Sequence, residues 1–385
     1  MKHALLSASG SARWLACPPS AKLEEQFPDA QSEYAAEGTF AHELAELLLS
    51  RAVANTTKPS VYKTKLLALQ KHEFYSQEMQ DYIQQYVDQV SEIFMAAKVR
   101  CCDTVALLEQ RLDYSNWVPD GFGTGDVVII ADNTVEIIDL KYGKGVPVSA
   151  ENNSQMRLYG LGAYAAYSIL YDIQTVRMTI IQPRLDNIST EELSVDKLLA
   201  WATDYVAPKA KLAASGKGEF VAGDHCRFCK AKATCRARVK ANLELAKHEF
   251  RKPPLLDVPE IAEILTQAEQ LQKWASDIQA YALEQAEKHG VKFPGYKLVE
   301  GRSNRKYADE AAVATKLSAE GYTEDQIFQK KLLGITAMEK LLGKKEFGLQ
   351  LGDLVIKPPG KPTLVPESDG RPELNSAEAA KADFG

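Results

Sequence analysis

Long hydrophobic runs are missing from this 385-residue chain. No stretch approaches the roughly 20 apolar residues that a membrane span needs. The opening residues, Met1 to Ser7, lack an apolar run of secretory-signal length. The expectation is a soluble, cytoplasmic protein with no membrane partner. An excess of positive charge is missing too: 46 Lys and Arg stand against 52 Asp and Glu, a net charge of −6. That excludes a histone-like binder working by bulk charge, though not an enzyme that grips nucleic acid through one local basic groove. Six cysteines are too few for a disulfide scaffold. With 23 glycines and 17 prolines, collagen-like and linker-dominated architectures fail as well. What is present, 45% hydrophobic and 25% charged residues, is the mix of a globular protein. The length suits two or three domains, or one elaborated core.

The first 100 residues read as mostly helical, with long candidates over Ala35–Arg51 and Gln77–Lys98. Short β-type runs follow at Val105–Leu112, Asp126–Ala131 and Thr134–Lys141, separated by Gly-rich or Asp-Asn turns. A helix over about Asn153–Leu170 and a strand over Val176–Gln182 come next, and Pro183 ends the strand. The order gives an α/β fold: a mixed central sheet flanked by helices, with a helical N-terminal insertion. Residues Val195–Ala214 read as one more helix. Arg251-Lys-Pro-Pro254 marks a boundary, dividing the chain into residues 1–250 and a mainly helical region 251–385. In that region Ile261, Ile264, Ala268, Leu271, Ala275, Ile278 and Ala282 form an apolar seam at three- and four-residue steps, which suits packing on its own domain or on a protein partner. Basic Arg302, Arg305 and Lys306 follow it and could guide DNA or a partner.

The second and third β runs carry the chemistry. With Asp132-Asn133 as a two-residue turn, Ile130 faces Val135, and the same register sets Asp126 opposite Asp139. Like charges directly opposed across a sheet are destabilising. A divalent cation is the common reason for keeping them, because hard cations take oxygen ligands. Alternation puts Lys141 on the face of Asp139. A lysine beside cation-bound carboxylates can orient or deprotonate water and stabilise a phosphorane-like transition state. A surface hairpin whose lysine merely neutralises the acids is the plain alternative. Against it, Val127–Ile130 and Ile137-Ile138 are apolar on both faces, which makes the hairpin central in its sheet.

Gly123–Ile129 (GTGDVVI) followed by Ile137–Lys141 (IIDLK) resembles the active-site core of the PD-(D/E)XK nucleases, which have a restriction-endonuclease-like core. More narrowly it is similar to the RecB-like exonucleases. That branch adds Gly-x-x-x-His on an upstream helix, matched by Gly38–His42, and Gln-x-x-x-Tyr on the helix after the lysine, matched by Gln155–Tyr159. The resemblance implies that His42, Asp126 and Asp139 hold Mg²⁺ or Mn²⁺, with the Leu140 carbonyl assisting. It implies that Lys141 acts on the attacking water, while Gln155 and Tyr159 position substrate or Lys141. Physically, Gln155 and Tyr159 lie one helical turn apart and share a face. Gly38 shares the face of His42, where its missing side chain would allow close approach.

Cys226-x2-Cys229-x5-Cys235 puts three thiols within ten residues. Three such ligands want a fourth, from Cys17, His225, Cys101 or Cys102. The array suits either zinc in a closed tetrahedron or an iron–sulfur cluster on four cysteines. Some RecB-like nucleases, of the AddB and CRISPR-adaptation kinds, staple the ends of the nuclease domain with such a cluster. They use one cysteine before the histidine motif and three after the Gln-x-x-x-Tyr helix. That resemblance implies a 4Fe–4S cluster on Cys17, Cys226, Cys229 and Cys235, with zinc as the alternative. Such a bond between segments about 200 residues apart would restrict the unfolded chain strongly. Arg227, Lys230, Lys232, Arg236 and Arg238 surround the array and suit either a basic rim for DNA phosphates or a solvated mixed surface.

The resemblance spans roughly residues 5–240 and rests on six motifs in order. It implies a metal-dependent deoxyribonuclease, an exonuclease acting on single-stranded DNA ends in recombination, repair or phage DNA metabolism. Two other readings stay open: a non-catalytic DNA-binding scaffold that keeps the fold, and a structure-specific endonuclease.

Overall fold

A computed structural model describes residues 4–28, 33–246, 258–299, 307–328 and 332–356. Arg302, Arg305, Lys306 and the Arg251–Pro254 boundary lie outside the described residues. Helices α1 (Ser11–Ala16), α2 (Ser20–Glu24), α3 (Glu33–Ala52), α4 (Pro59–Leu69) and α5 (Gln77–Arg100) precede the sheet. Strands β1 (Val105–Asp113), β2 (Phe122–Ala131) and β3 (Thr134–Leu140) follow, then α6 (Ser154–Tyr167), β4 (Thr175–Gln182) and β5 (Asn187–Ser194). After the sheet come α7 (Val195–Trp201), α8 (Ala207–Ser215), α9 (Arg236–Ala246) and α10 (Val258–His289). The last elements are α11 (Glu310–Ala319), α12 (Glu324–Ile327), α13 (Ile335–Leu342) and α14 (Lys344–Leu351).

The fold is α/β. Five strands form a sheet in the order β1-β2-β3-β4-β5, antiparallel except for the β3–β4 pair. A parallel neighbour needs a crossover, and α6 supplies it. Val127, Ile129, Ile138 and Leu140 point to one face, where Phe40, Leu44 and Leu48 of α3 and Ile83 and Val87 of α5 bury them. Val128, Ile130, Val135 and Ile137 point to the other, against Met156 and Leu158 of α6 and Leu198 of α7. Helices on both faces explain why the β2 and β3 sequences are apolar on both sides. At Gly162 of α6 an added Cβ would sit 2.8 Å from the Leu112 Cβ, so the missing side chain lets α6 lie close on β1.

The hairpin turn falls at Asp132-Asn133 as its sequence suggests, with Ile130 paired to Val135 and Asp132 at φ 55°. Asp is among the residues that tolerate this left-handed conformation. Strand β5 was absent from the sequence reading. Its polar alternation, Asn-Ile-Ser-Thr-Glu-Glu-Leu-Ser, is that of an edge strand half in water. The helix expected over Val195–Ala214 is continuous but carries a π-helical turn at Ala202–Val206, just ahead of Pro208.

Contacts divide the chain after Glu284. The sequence reading drew its line at residue 250. Most of α10 belongs with the first unit, because Asp277 pairs with Arg238 of α9 at 2.6 Å and with Lys232 at 2.9 Å. In the second unit α13 and α14 pack together, with Phe347 buried.

Candidate functional site

Three neighbouring strands set three acids in a row. In the β1–β2 ladder Leu108 pairs with Val127 and Gln110 with Gly125, so Glu109 stands opposite Asp126. Backbone pairing skips that couple, because Glu109 has φ 47°, a conformation uncommon outside glycine. In the β2–β3 ladder the last bonded pair is Val127 with Ile138. The next couple in register is Asp126 and Asp139, but there the Leu140 N–H donates to Asp126 Oδ2 at 2.7 Å instead of to backbone. The Asp126 side chain thus ends the ladder.

Helix α3 brings His42 to this row, with Nδ1 3.2 Å from Asp126 Oδ1. Arg184, just after β4, anchors the start of that helix: it reaches Glu37 at 3.3 Å and lies over the Tyr142 ring. A Cβ at Gly38 would meet nothing within 4 Å, so the expected close approach at this glycine is not found; the helix faces open space there. Ligand atoms of His42, Glu109 and Asp126 lie within 4.8 Å of one another, a spacing able to hold a cation.

Asp139 is 3% exposed and pairs with Lys141 at 2.9 Å. Gln155 closes the arrangement. It accepts from Lys141 Nζ at 3.1 Å, donates to Asp139 Oδ1 at 3.3 Å, and donates to the Tyr159 hydroxyl at 3.2 Å. Gln155 sits in the first turn of α6 because Asn153 caps that helix, accepting from the Gln155 and Met156 amides. Tyr159 in turn lies against Gly123 of β2. His42, Asp126, Asp139, Lys141, Gln155 and Tyr159, scattered over about 120 residues of sequence, therefore meet at one end of the β2–β3 hairpin.

The electrostatics follow from burial and crowding. Burial disfavours protonation of His42, but Asp126, Asp139 and Glu109 outweigh it and lift the imidazole to about 9. Burial, reinforced by Asp126, pushes Glu109 up to about 7 even though His42 pulls it down. Asp139 is also pushed up by burial, with Lys141 opposing. Burial works against the Lys141 ammonium, yet Asp139 more than compensates and raises it, so the amine is held charged. Of the three buried side-chain oxygens without a hydrogen bond among the described residues, two are Asp139 Oδ2, which still pairs with the Lys141 ammonium at 2.9 Å, and the Tyr86 hydroxyl of α5. An unmatched buried hydroxyl such as that of Tyr86 costs about 1–3 kcal/mol. The acid row with its imidazole, where ligand atoms of His42, Glu109 and Asp126 lie within 4.8 Å of one another, fits a hard divalent cation.

Cys17, Cys226, Cys229 and Cys235 line one small pocket, together with His225, Ser20 and Arg13. Cys101 and Cys102 lie elsewhere, at the end of α5. His225 bonds the Val221 carbonyl through Nε2, and the sulfurs of Cys17 and Cys226 raise it to about 10. Burial acts against the Cys226 thiolate, but His225 lowers that thiol overall, whereas burial pushes Cys229 up to about 11. The Ser20 hydroxyl is buried without a partner among the described residues. Among those residues no three thiol sulfurs come within the 4.8 Å spacing of a single-ion site. Zn–S bonds of about 2.3 Å would draw them closer than that. Arg238 is not part of a basic rim: it is 6% exposed and neutralised by Asp277. The pocket connects to the acid row through α1, whose Ser11 hydroxyl meets that of Ser154 at 2.6 Å, next to Gln155.

The family model described as "Protein of unknown function (DUF2800)" matches residues 3–372. The chain belongs to that family. A solved structure titled "Crystal structure of SSO0001" is similar at 16% identity and a TM-score of 0.23, over 57% of this DUF2800 chain and 95% of that one. No helix among the described residues is long and apolar enough to cross a membrane.

Sequence reasoning missed Glu109 and Tyr86. The Glu109 position depends on the β1–β2 register, and a long connection over residues 114–121 leaves no short turn from which to count it. Tyr86 reads as one more apolar position of an amphipathic helix.

Proposed function

We propose that this chain is a metal-dependent DNA exonuclease of the RecB-like kind, with a restriction-endonuclease-like core and a 4Fe–4S cluster on Cys17, Cys226, Cys229 and Cys235. The observation that carries the reading is the Lys141 amine, which lies 2.9 Å from Asp139 and 3.1 Å from Gln155, beside the His42–Asp126 pair. His42, Asp126 and Asp139, with Glu109 added, would hold Mg²⁺ or Mn²⁺, which would supply Lewis acidity toward a phosphodiester oxygen and an attacking water. The charged Lys141 orients that water and offsets negative charge as it gathers on the phosphoryl oxygens. Gln155 fixes amine and carboxylate together, and Tyr159 fixes Gln155. For a scaffold without activity, a buried lysine beside a row of acids would be expense without return.

For the cluster, support comes from Cys17, Cys226, Cys229 and Cys235 lining one pocket, with the unpartnered Ser20 hydroxyl among its lining residues. Cluster thiolates carry hydrogen bonds that tune them, and His225 is such a partner of Cys17 and Cys226. Single-stranded DNA ends remain the favoured substrate by family likeness, with recombination, repair or phage DNA metabolism as the setting.

Anaerobically purified protein, with Mg²⁺ or Mn²⁺ and end-labelled DNA, tests the reading. Wild type should release labelled product from linear ends and spare closed circles, and Lys141→Ala should be slower by a factor of about 100 or more. An inactive wild type, or undiminished cleavage by Lys141→Ala, sinks the nuclease. Iron and sulfide analysis of the same preparation tests the cluster, which stoichiometric zinc would replace.

A further inference from the structure

Tyr86 is unlike the other buried tyrosines near the site. The Tyr114 hydroxyl donates to the Phe122 carbonyl at 2.9 Å, and that of Tyr159 accepts from Gln155 at 3.2 Å. Tyr86 is 0% exposed, and among the described residues its hydroxyl has no hydrogen-bond partner. Its ring belongs to the core formed by α3, α5 and the sheet face of Val127, Ile138 and Leu140. Val127, Ile138 and Leu140, in whose core Tyr86 lies, are the chain neighbours of Asp126 and Asp139, and burial together with the charges of Asp126, Asp139 and Glu109 pushes the phenol up. A phenylalanine would fill the same space without burying an unmatched donor. The arrangement makes sense if the donor has an acceptor when a cation is held above it.

We infer that Tyr86 is a positioning residue of the cation site: its hydroxyl donates a hydrogen bond to an oxygen that touches a divalent cation held by His42, Glu109 and Asp126. This rests on the proposed cation site and names a part of it contributed by α5. A phenolic O–H has one proton to give. Given to a carboxylate or a hydration water beside the cation, it fixes the direction of that oxygen's lone pairs. Partners of this kind commonly change metal affinity ten- to a hundredfold.

The test is Mn²⁺ binding to the full chain, followed by the loss of the free-ion electron paramagnetic resonance signal, for wild type, Tyr86→Phe and Tyr114→Phe. The expected result is a dissociation constant about tenfold weaker for Tyr86→Phe and unchanged for Tyr114→Phe. Without metal, Tyr86→Phe should melt no lower than wild type. Equal Mn²⁺ affinity in wild type and Tyr86→Phe, or equal weakening by Tyr114→Phe, overturns the inference and leaves the cation site standing. A wild type that binds no Mn²⁺ removes both. A Tyr86→Phe chain that fails to fold without metal shows the hydroxyl at work in the metal-free core, which also overturns it.

Discussion

The Tyr159 ring lies so close to Gly123 that a Cβ built on the glycine would sit 2.6 Å from ring carbon Cε1. The glycine opens the Gly-Thr-Gly-Asp stretch that carries Asp126, and the tyrosine holds Gln155. One missing side chain on β2 therefore sets where α6 places the group that binds both Asp139 and Lys141.

Gly123→Ala should show this directly. The ring is buried and cannot swing aside, so overpacking should cost about 1–3 kcal/mol. Thermal unfolding measures that cost. The proposed nuclease activity should fall as well, because displacing Tyr159 also displaces Gln155. A variant with wild-type melting and wild-type cleavage would show that α6 adjusts freely.

The His42–Asp126 pair makes the site sensitive to pH. The imidazole is raised from 6.5 to about 9, so its stabilising contribution is complete below pH 6.5 and is lost as pH rises through 9. A cation needs the neutral ring, so its affinity should rise across the same window as protons are released. Mn²⁺ titrations between pH 6 and 9.5 check the rise. In the metal-free chain Asp126→Asn, which removes the main charge on His42, should shift the imidazole's own titration, followed by NMR, to lower pH.

Glu109 carries an opposed effect. Its carboxyl is raised from 4.5 to about 7, so its ionisation destabilises the metal-free fold as pH climbs through that range. Glu109→Gln should therefore raise the melting temperature of the metal-free chain at pH 8 and change it little at pH 4. It should also weaken Mn²⁺ binding, because one ligand oxygen loses its charge. Gain in stability without loss of affinity would place Glu109 outside the cation's ligands.

What the sequence made legible was local. The Asp132-Asn133 turn fixed the β2–β3 register, and that register put Asp126, Asp139 and Lys141 at one end of a buried hairpin. Gln155 and Tyr159 came from the Gln-x-x-x-Tyr resemblance, and helical spacing gave only their shared face. Glu109 did not, since its place opposite Asp126 depends on pairing with β1, and its φ of 47° has no glycine to announce it. Strand β5 was hidden by its polar composition; α10 was legible from its apolar seam, but not its pairing through Asp277 with Arg238 and Lys232. Spacing proposed the thiol array, but only the fold brings Cys17 to the same pocket.

Glu24 offers a test of how α1 and α2 are tied to the cysteine segment without any cofactor. It is 7% exposed, accepts from Arg13 Nε at 2.7 Å and from the Lys230 amide at 2.7 Å, while Arg13 also reaches the Phe228 carbonyl. These bonds join α1 and α2 to the cysteine segment beside the thiol pocket. Glu24→Ala strands a mostly buried guanidinium and a backbone donor, which should cost about 2–3 kcal/mol. At roughly 2–4 °C for each kcal/mol, the melting temperature of the iron-free protein should fall measurably. In protein loaded with iron and sulfide the fall should be smaller, because four thiolates would hold the same segments together. Equal losses in both forms would mean that the thiol pocket contributes no tie of its own.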